Sequence, residues 1–277
     1  MDLIDTHQHL VYRDRLGYGW TAGIPALAEG DFTLEDYRRL VEGLGVVGSL
    51  FMEAAVDDAD YQAEARFVAT MVGRDGMLGQ VASCRPETDE GFDAWLDEAE
   101  GLRVKGYRRV LHVVPDDLSQ TGTFRANLRK IGARGLPFDL CVLARQLPVA
   151  EDLARACDGV TFVLDHCGVP DIAGGAFEPW ARGIDALAAL PHVRCKISGL
   201  TAYAGPGASA ATLRPWVDHV LDSFGPDRCL WGGDWPVVNL GAGLRAWIAM
   251  TRELLAGLSP EEQDRVGQGT ARAVYGL

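Results

Sequence analysis

Eight short runs of three to seven mostly apolar residues punctuate the chain, over 3–7, 46–52, 77–82, 104–110, 138–143, 161–165, 193–197 and 229–231. They are shorter than helices and carry many Val, Ile, Leu, Phe and Cys residues, so each reads as a strand. Between them apolar positions recur three and four residues apart, which predicts helices over 34–44, 61–72, 90–100, 124–134, 149–157, 179–190, 212–224 and 246–255. Thr33-Leu34-Glu35-Asp36 reads as the cap that opens the first of these, and Ser259-Pro260-Glu261-Glu262 as a capping box with a first-turn proline opening a further one. Strand and helix alternate eight times in roughly 250 residues, which predicts an α/β fold: a (β/α)8 barrel, with 1–277 as one domain. A doubly wound open sheet is the alternative, but no glycine-rich phosphate loop follows the first strand. No linker or low-complexity tract divides the chain.

In such a barrel the chemistry belongs at the C-terminal ends of the strands. The first strand runs into Asp5-Thr6-His7-Gln8-His9. Alternate side chains of a strand share a face, so His7 and His9 point the same way, about 7 Å apart at Cα. Two histidines so placed converge on one ion or one carbonyl oxygen. A carboxylate such as Asp234, in Trp231-Gly232-Gly233-Asp234-Trp235-Pro236, then supplies a base or ligand, although it would equally cap a turn. The other strands end near Glu53, near Lys105 and Arg108, near Arg145, at Asp165-His166-Cys167-Gly168, and at Lys196 and Ser198. Glu53 suits a functional or a loop-capping role. Lys196 reads as a buried ion-pair partner of Asp5 or Asp165. Trp235 suits either stacking on a sugar face or packing at the rim. His112, His192 and His219 read as structural.

A net charge of −13 argues against a nucleic-acid partner. No stretch nears the roughly eighteen apolar residues of a membrane helix, and the first residues lack the basic region of a signal peptide. Six cysteines without CxxC spacing read as buried thiols in a reducing, cytoplasmic setting. With 48% hydrophobic residues, the chain can fill one large core.

Taken together, Asp5-Thr6-His7-Gln8-His9-Leu10, Gly106-Tyr107-Arg108-Arg109, Asp165-His166-Cys167-Gly168-Val169-Pro170-Asp171, Lys196-Ile197-Ser198-Gly199-Leu200 and Gly233-Asp234-Trp235-Pro236 resemble the amidohydrolase superfamily, in particular its lactone-hydrolase branch. That branch includes sugar-acid lactonases of the fucono- and rhamnonolactonase type and pyrone-dicarboxylate lactonase. The closing Gly269-Thr270-Ala271-Arg272-Ala273-Val274-Tyr275 fits the superfamily's last helix, so the resemblance spans nearly the whole chain. It implies that His7, His9 and His166 polarise a carbonyl or bind a metal, and that Asp234 activates water. It also implies that Lys105, Arg108 and Arg145 bind substrate oxygens, with Glu53 and Trp235 nearby. Arg145-Gln146-Leu147-Pro148 and the aromatic loop Gly17-Tyr18-Gly19-Trp20 favour a sugar lactone, and hence carbohydrate catabolism, over an aromatic pyrone.

One departure bears on the cofactor: the fifth strand lacks the histidine with which many amidohydrolases hold metal. The remaining set of His7, His9, His166 and Asp234 suits one weakly held divalent ion, zinc before others, or no metal at all. Without metal, three imidazoles aimed at the carbonyl oxygen are expected to act as an oxyanion hole. The expected partner is a small lactone, with neither nucleic acid nor membrane, and a homo-oligomer is allowed. The competing readings are a metal-dependent non-oxidative decarboxylase of the same superfamily and a non-catalytic binding protein on a decayed barrel.

Overall fold

The computed structural model describes residues 1–205 and 207–277. Eight parallel strands lie in the sheet in chain order: β1 (Leu3–Gln8), β2 (Val46–Met52), β3 (Met77–Ser83), β4 (Val104–Val110), β5 (Phe138–Cys141), β6 (Phe162–Leu164), β7 (Val193–Ile197) and β8 (Cys229–Trp231). The last strand returns to the first. Asp234 N donates to His7 O at 2.7 Å, His9 N to Trp235 O at 2.8 Å, and Thr6 Oγ1 to Trp231 O at 2.6 Å. These bonds bring both ends of the chain's chemistry together and make the sheet a barrel, as the strand–helix alternation predicts.

Helices follow the strands where the apolar spacing places them, with ends moved by capping. Thr33 and Asp36 form a reciprocal capping box on Leu34–Val41, and Ser259 and Glu262 form another on Pro260–Asp264. Thr121 caps Gly122–Ala133, so that helix begins two residues before the expected 124. β5 stops at Cys141 instead of 143, because a 3-10 turn over Ala144–Gln146 follows and Gln146 Oε1 accepts from Leu143 N at 2.9 Å.

Apolar packing falls into two shells. The larger fills the space between barrel and helices, and includes Leu3, Phe51, Tyr107, Phe138, Phe162, Trp180 and Trp247. The smaller lies inside the barrel, where Leu50, Met52, Val81, Val163 and Leu230 meet Tyr275 of the final helix, Thr270–Tyr275. That helix closes the end of the barrel remote from the strands' C-terminal ends. Among the described residues no helix is long and apolar enough to cross a membrane, and the six cysteines are buried and free.

Candidate active site

The strand ends bring His7, His9, His166 and Asp234 into one cluster. His7 Nε2 lies 3.8 Å and His9 Nε2 3.6 Å from Asp234 Oδ1, while His166 Nδ1 lies 3.9 Å from Asp234 Oδ2. The ring centroids of His7 are 4.9 Å from those of His9 and 4.3 Å from those of His166. All four residues are buried.

Their placement requires unusual backbone. His166, Cys167, Val169 and Asp234 all have positive φ, between 49° and 58°, a region that L-residues other than Asn, Asp and His seldom adopt. Such strain after β6 and after β8 is a common mark of a functional site. Gly199, φ 68°, permits the crowding: a Cβ there would lie 2.6 Å from Asp234 Oδ2 and 2.9 Å from His166 Nδ1. Asp5 does not pair with Lys196. Its carboxylate ties β1 to β8, with Oδ1 accepting from His7 N at 2.9 Å and Gly233 N at 2.7 Å and Oδ2 from Tyr37 at 2.7 Å.

Hydrogen bonds set the tautomers. His9 Nδ1 lies 2.9 Å from Met52 O, which only accepts, so Nδ1 carries a proton and Nε2 is the atom that faces Asp234. His7 Nε2 lies 3.2 Å from Arg108 Nη1, which only donates, so Nε2 is the acceptor; Nδ1 lies 3.3 Å from Asp165 Oδ1 and 3.4 Å from Lys196 Nζ, and the carboxylate is the nearer partner and the one that takes an Nδ1 proton. Burial keeps His7 neutral by pushing its pKa well below the ordinary histidine value, against the pull of Asp165. A ring in that Nδ1–H tautomer offers an acceptor, not a donor, at Nε2. His166 is the ring that can donate: Ser198 Oγ sits 2.9 Å from its Nδ1, and a hydroxyl donating there leaves Nε2–H for the cavity.

Arg108 and its partners form the adjoining wall. Its Nε donates to Glu53 Oε1 and its Nη2 to Glu53 O, both at 2.6 Å, and Nη1 lies 3.3 Å from Asp165 Oδ2. Burial disfavours the charged carboxylates. Arg108 nonetheless holds Glu53 below its ordinary value, and Lys196, His7 and Arg108 hold Asp165 well below. Lys196, 3.0 Å from Asp165 Oδ1, is the buried ion-pair partner expected.

Above the cluster opens a cavity of about 380 Å³, a size suited to a small ligand. Its mostly apolar walls include Ala54, Val110, Val113 and Val169, with Trp20, His112 and Tyr203 adding polar atoms. Trp20, from the aromatic loop after β1, anchors its indole N–H on Ala54 O at 2.9 Å. His112 was expected to be structural but lines the cavity beside Cys141, whose Sγ lies 3.6 Å from its Nδ1. Tyr203 escaped sequence reasoning, because it sits in a short helix, Leu200–Tyr203, three residues beyond the Lys196–Leu200 motif.

Three residues expected to contact substrate lie outside the cavity lining. Lys105 lies on the first half of β4 and its ammonium donates to Gly276 O at 2.9 Å, far from the strand's C-terminal end. Arg145 is exposed and paired with Asp116 at 2.7 Å, outside the cavity lining. Trp235 turns into the core against Phe32 and Tyr37, with ring centroids 5.4 and 5.7 Å away. His192 and His219 bond backbone carbonyls of Ala154 and Ala181, as structural histidines.

The cluster also fits a divalent ion. Ligand atoms of His7, His9 and Asp234 lie within 4.8 Å of one another. A tetrahedral ion with bonds near 2.1 Å sets its ligands about 3.4 Å apart, close to the distances found. The other nitrogen of His9 is held by the Met52 carbonyl oxygen and that of His7 faces Asp165 Oδ1 at 3.3 Å, the usual surroundings of a metal-binding imidazole. Asp234 Oδ2 is buried with no hydrogen-bond partner among the described residues.

A family model described as amidohydrolase matches residues 4–277. An L-fucono-1,5-lactonase of Burkholderia ambifaria is 30% identical over 98% of this chain and 94% of its own length. One from Burkholderia multivorans is 30% identical over 99% and 96%. A crystal structure of an amidohydrolase from Burkholderia multivorans with bound zinc superposes with a TM-score of 0.89 at 28% identity, covering all of both chains. By this match along almost its full length, the chain is an enzyme of the amidohydrolase family, akin to relatives named as lactonases.

Proposed function

We propose that the enzyme hydrolyses a small uncharged sugar-acid lactone, an aldonolactone, to its free acid. The observation that carries this reading is a buried carboxylate, Asp234, with one unpartnered oxygen, grouped with three imidazoles beneath a cavity whose one lining Lys or Arg among the described residues is already paired. Arg108 is occupied by Glu53, Asp165 and His7, and Arg145 is turned outward. A ligand carboxylate would thus enter without a free cation to meet it, which favours a neutral lactone over a pyrone dicarboxylate. The similarity to lactonases supports the same chemistry.

In this mechanism a water between Asp234 and the Nε2 atoms of His7 and His9 donates one hydrogen to the carboxylate and one to a ring lone pair. Its oxygen attacks the lactone carbonyl as Asp234 takes the proton, a contribution of about 10²–10⁴-fold. His166 Nε2–H, aided by the nearby Arg108 charge, stabilises the developing oxyanion; one such donor is worth about 2.7–4 kcal/mol. The ring C–O bond then breaks, and Asp234 returns the proton to the departing alkoxide. The product acid ionises and releases a proton to solvent. His7, His9 and Asp234, with His166 beside them, would hold a divalent ion, which when bound supplies Lewis acidity and a water of pKa about 7. The Arg108 guanidinium, 3.2 Å from His7 Nε2, repels such an ion and competes for that lone pair, so our reading makes the ion weakly held and dispensable. A role in carbohydrate catabolism in the cytoplasm accompanies this reading.

The test is a pH-indicator assay over a panel of aldonolactones, pyrone dicarboxylate and an aromatic carboxylate. Acid release from aldonolactones, with the dicarboxylate near background, is the expected result. No acid release from any lactone, or proton uptake with carbon dioxide release from the aromatic acid, would overturn it.

A further inference from the structure

Towards the closed end of the barrel lies a second polar cluster that the proposed chemistry does not touch. Tyr275, in the final helix, donates its hydroxyl to Asp139 on β5, 3.0 Å from Oδ1 and 2.8 Å from Oδ2. Lys196 on β7 donates to Asp139 Oδ2 at 2.5 Å, and its Nζ lies 3.0 Å from Asp165 Oδ1. That same Asp165 oxygen faces His7 Nδ1–H at 3.3 Å. Asp139, Asp165, Lys196 and His7 are fully buried, and Tyr275 nearly so.

A chain of buried charges is a poor way to stabilise a barrel interior, since apolar residues of similar volume usually do as well or better. Leu50, Met52, Val81, Val163 and Leu230 fill the rest of that space without polar atoms. The charges are better explained by what they hold. Asp165 Oδ1 lies between two groups, 3.0 Å from the Lys196 ammonium and 3.3 Å from His7 Nδ1, and Lys196 Nζ is itself 3.4 Å from His7 Nδ1. Asp139 draws the ammonium from the other side, and the Tyr275 hydroxyl shares the Asp139 carboxylate. Together they determine how much of Asp165 is left for His7. His7 in turn needs that partner to keep its proton on Nδ1 and its Nε2 free to accept within the cluster.

We propose that Tyr275, Asp139 and Lys196 are positioning residues: acting through Asp165, they set the tautomer and orientation of His7 from the closed end of the barrel. The docked C-terminal helix is thereby part of the reaction centre's support. Only the kinetic consequence rests on the lactonase reading; the geometric claim does not.

Two variants test it. Tyr275→Phe removes one oxygen and keeps the packing. Asp139→Asn releases Lys196 fully onto Asp165. With an aldonolactone, kcat should fall about fivefold in the first, the weight of one hydrogen bond. It should fall about 10–100-fold in the second, as for other groups that orient a functional histidine, with KM within about twofold in both. Nitrogen-15 spectra of the histidine rings should show His7 as the Nδ1–H tautomer in the parent protein and a mixture in the variants. A merely structural role would lower the melting temperature and leave those ring signals unmoved. Unchanged His7 signals in folded Tyr275→Phe overturn the proposal whatever the activity. If no lactone is turned over by the parent protein, the proposed function fails, while the ring spectra still decide this point.

Discussion

Arg145 and Arg108 show how two arginines near strand ends can differ in reach. Arg108 projects from β4 into the barrel, where Glu53, Asp165 and His7 fix its guanidinium. Arg145 follows β5 in a 3-10 turn, is exposed, and spends its charge on Asp116. Exposed ion pairs of this kind contribute little, about 0–1 kcal/mol. Arg145→Ala should therefore leave kcat and KM of lactone hydrolysis within about twofold of the parent, and steady-state kinetics check this; a tenfold rise in KM would restore it as a substrate ligand. His7, His9, His166 and Asp234 were legible in the sequence because strand alternation and strand ends are local properties. The pairing of Arg108 with Glu53, and of Lys196 with Asp139 and Asp165, was not, because those partners lie on different strands and meet only once the barrel closes. That His112 lines the cavity was not legible for a related reason: the wall it joins is completed by Cys141 of the neighbouring strand.

At the scale of elements, the helices that follow the strands also support the site. Helix Tyr61–Ala69 turns Glu64 inward, where its Oε1 accepts from Ala54 N at 2.9 Å, next to the cavity wall. Burial, with the nearby charge of Glu53, raises the Glu64 pKa well above the ordinary value of 4.5. The sign follows from linkage. Below about pH 4.5 both folded and unfolded chains hold this proton. Above it the unfolded chain releases the proton first, so stability falls with rising pH until the folded pKa is passed. Glu64→Gln should remove that contribution, and its stability relative to the parent should rise with pH above about 4.5, read by urea denaturation at a series of pH values. Parallel curves would contradict it. The periodicity that places this helix says it has a buried face; it does not say that a carboxyl on that face is held without a charged partner. Element ends were legible to within a few residues, and the shifts trace to caps such as Thr121 and Gln146 whose bonds are local but compete with continued helix or strand.

For the whole molecule, eightfold alternation was enough to anticipate the barrel, while its closure depends on bonds between residues more than two hundred apart, such as Thr6 to Trp231. Closure joins the His7–His9 strand to the Asp234 strand, so folding and site assembly are one event. A tightly held ion would couple to folding, because ligands scattered on unfolding release it and the folded state gains stability from binding. The Arg108 guanidinium beside His7 argues for weak binding, so exhaustive chelation should leave melting temperature and lactone turnover nearly unchanged; loss of both, restored by one equivalent of zinc, would show the cluster to be a metal centre first. The central claim is that Asp234 takes the proton from water as it attacks an uncharged lactone. Its most direct test is the rate of acid release at saturating aldonolactone for Asp234→Asn against the parent protein, with the fold of both checked by circular dichroism. The account predicts a fall of about 10²-fold or more in a folded variant; a folded Asp234→Asn protein that retains near-parent activity would contradict it.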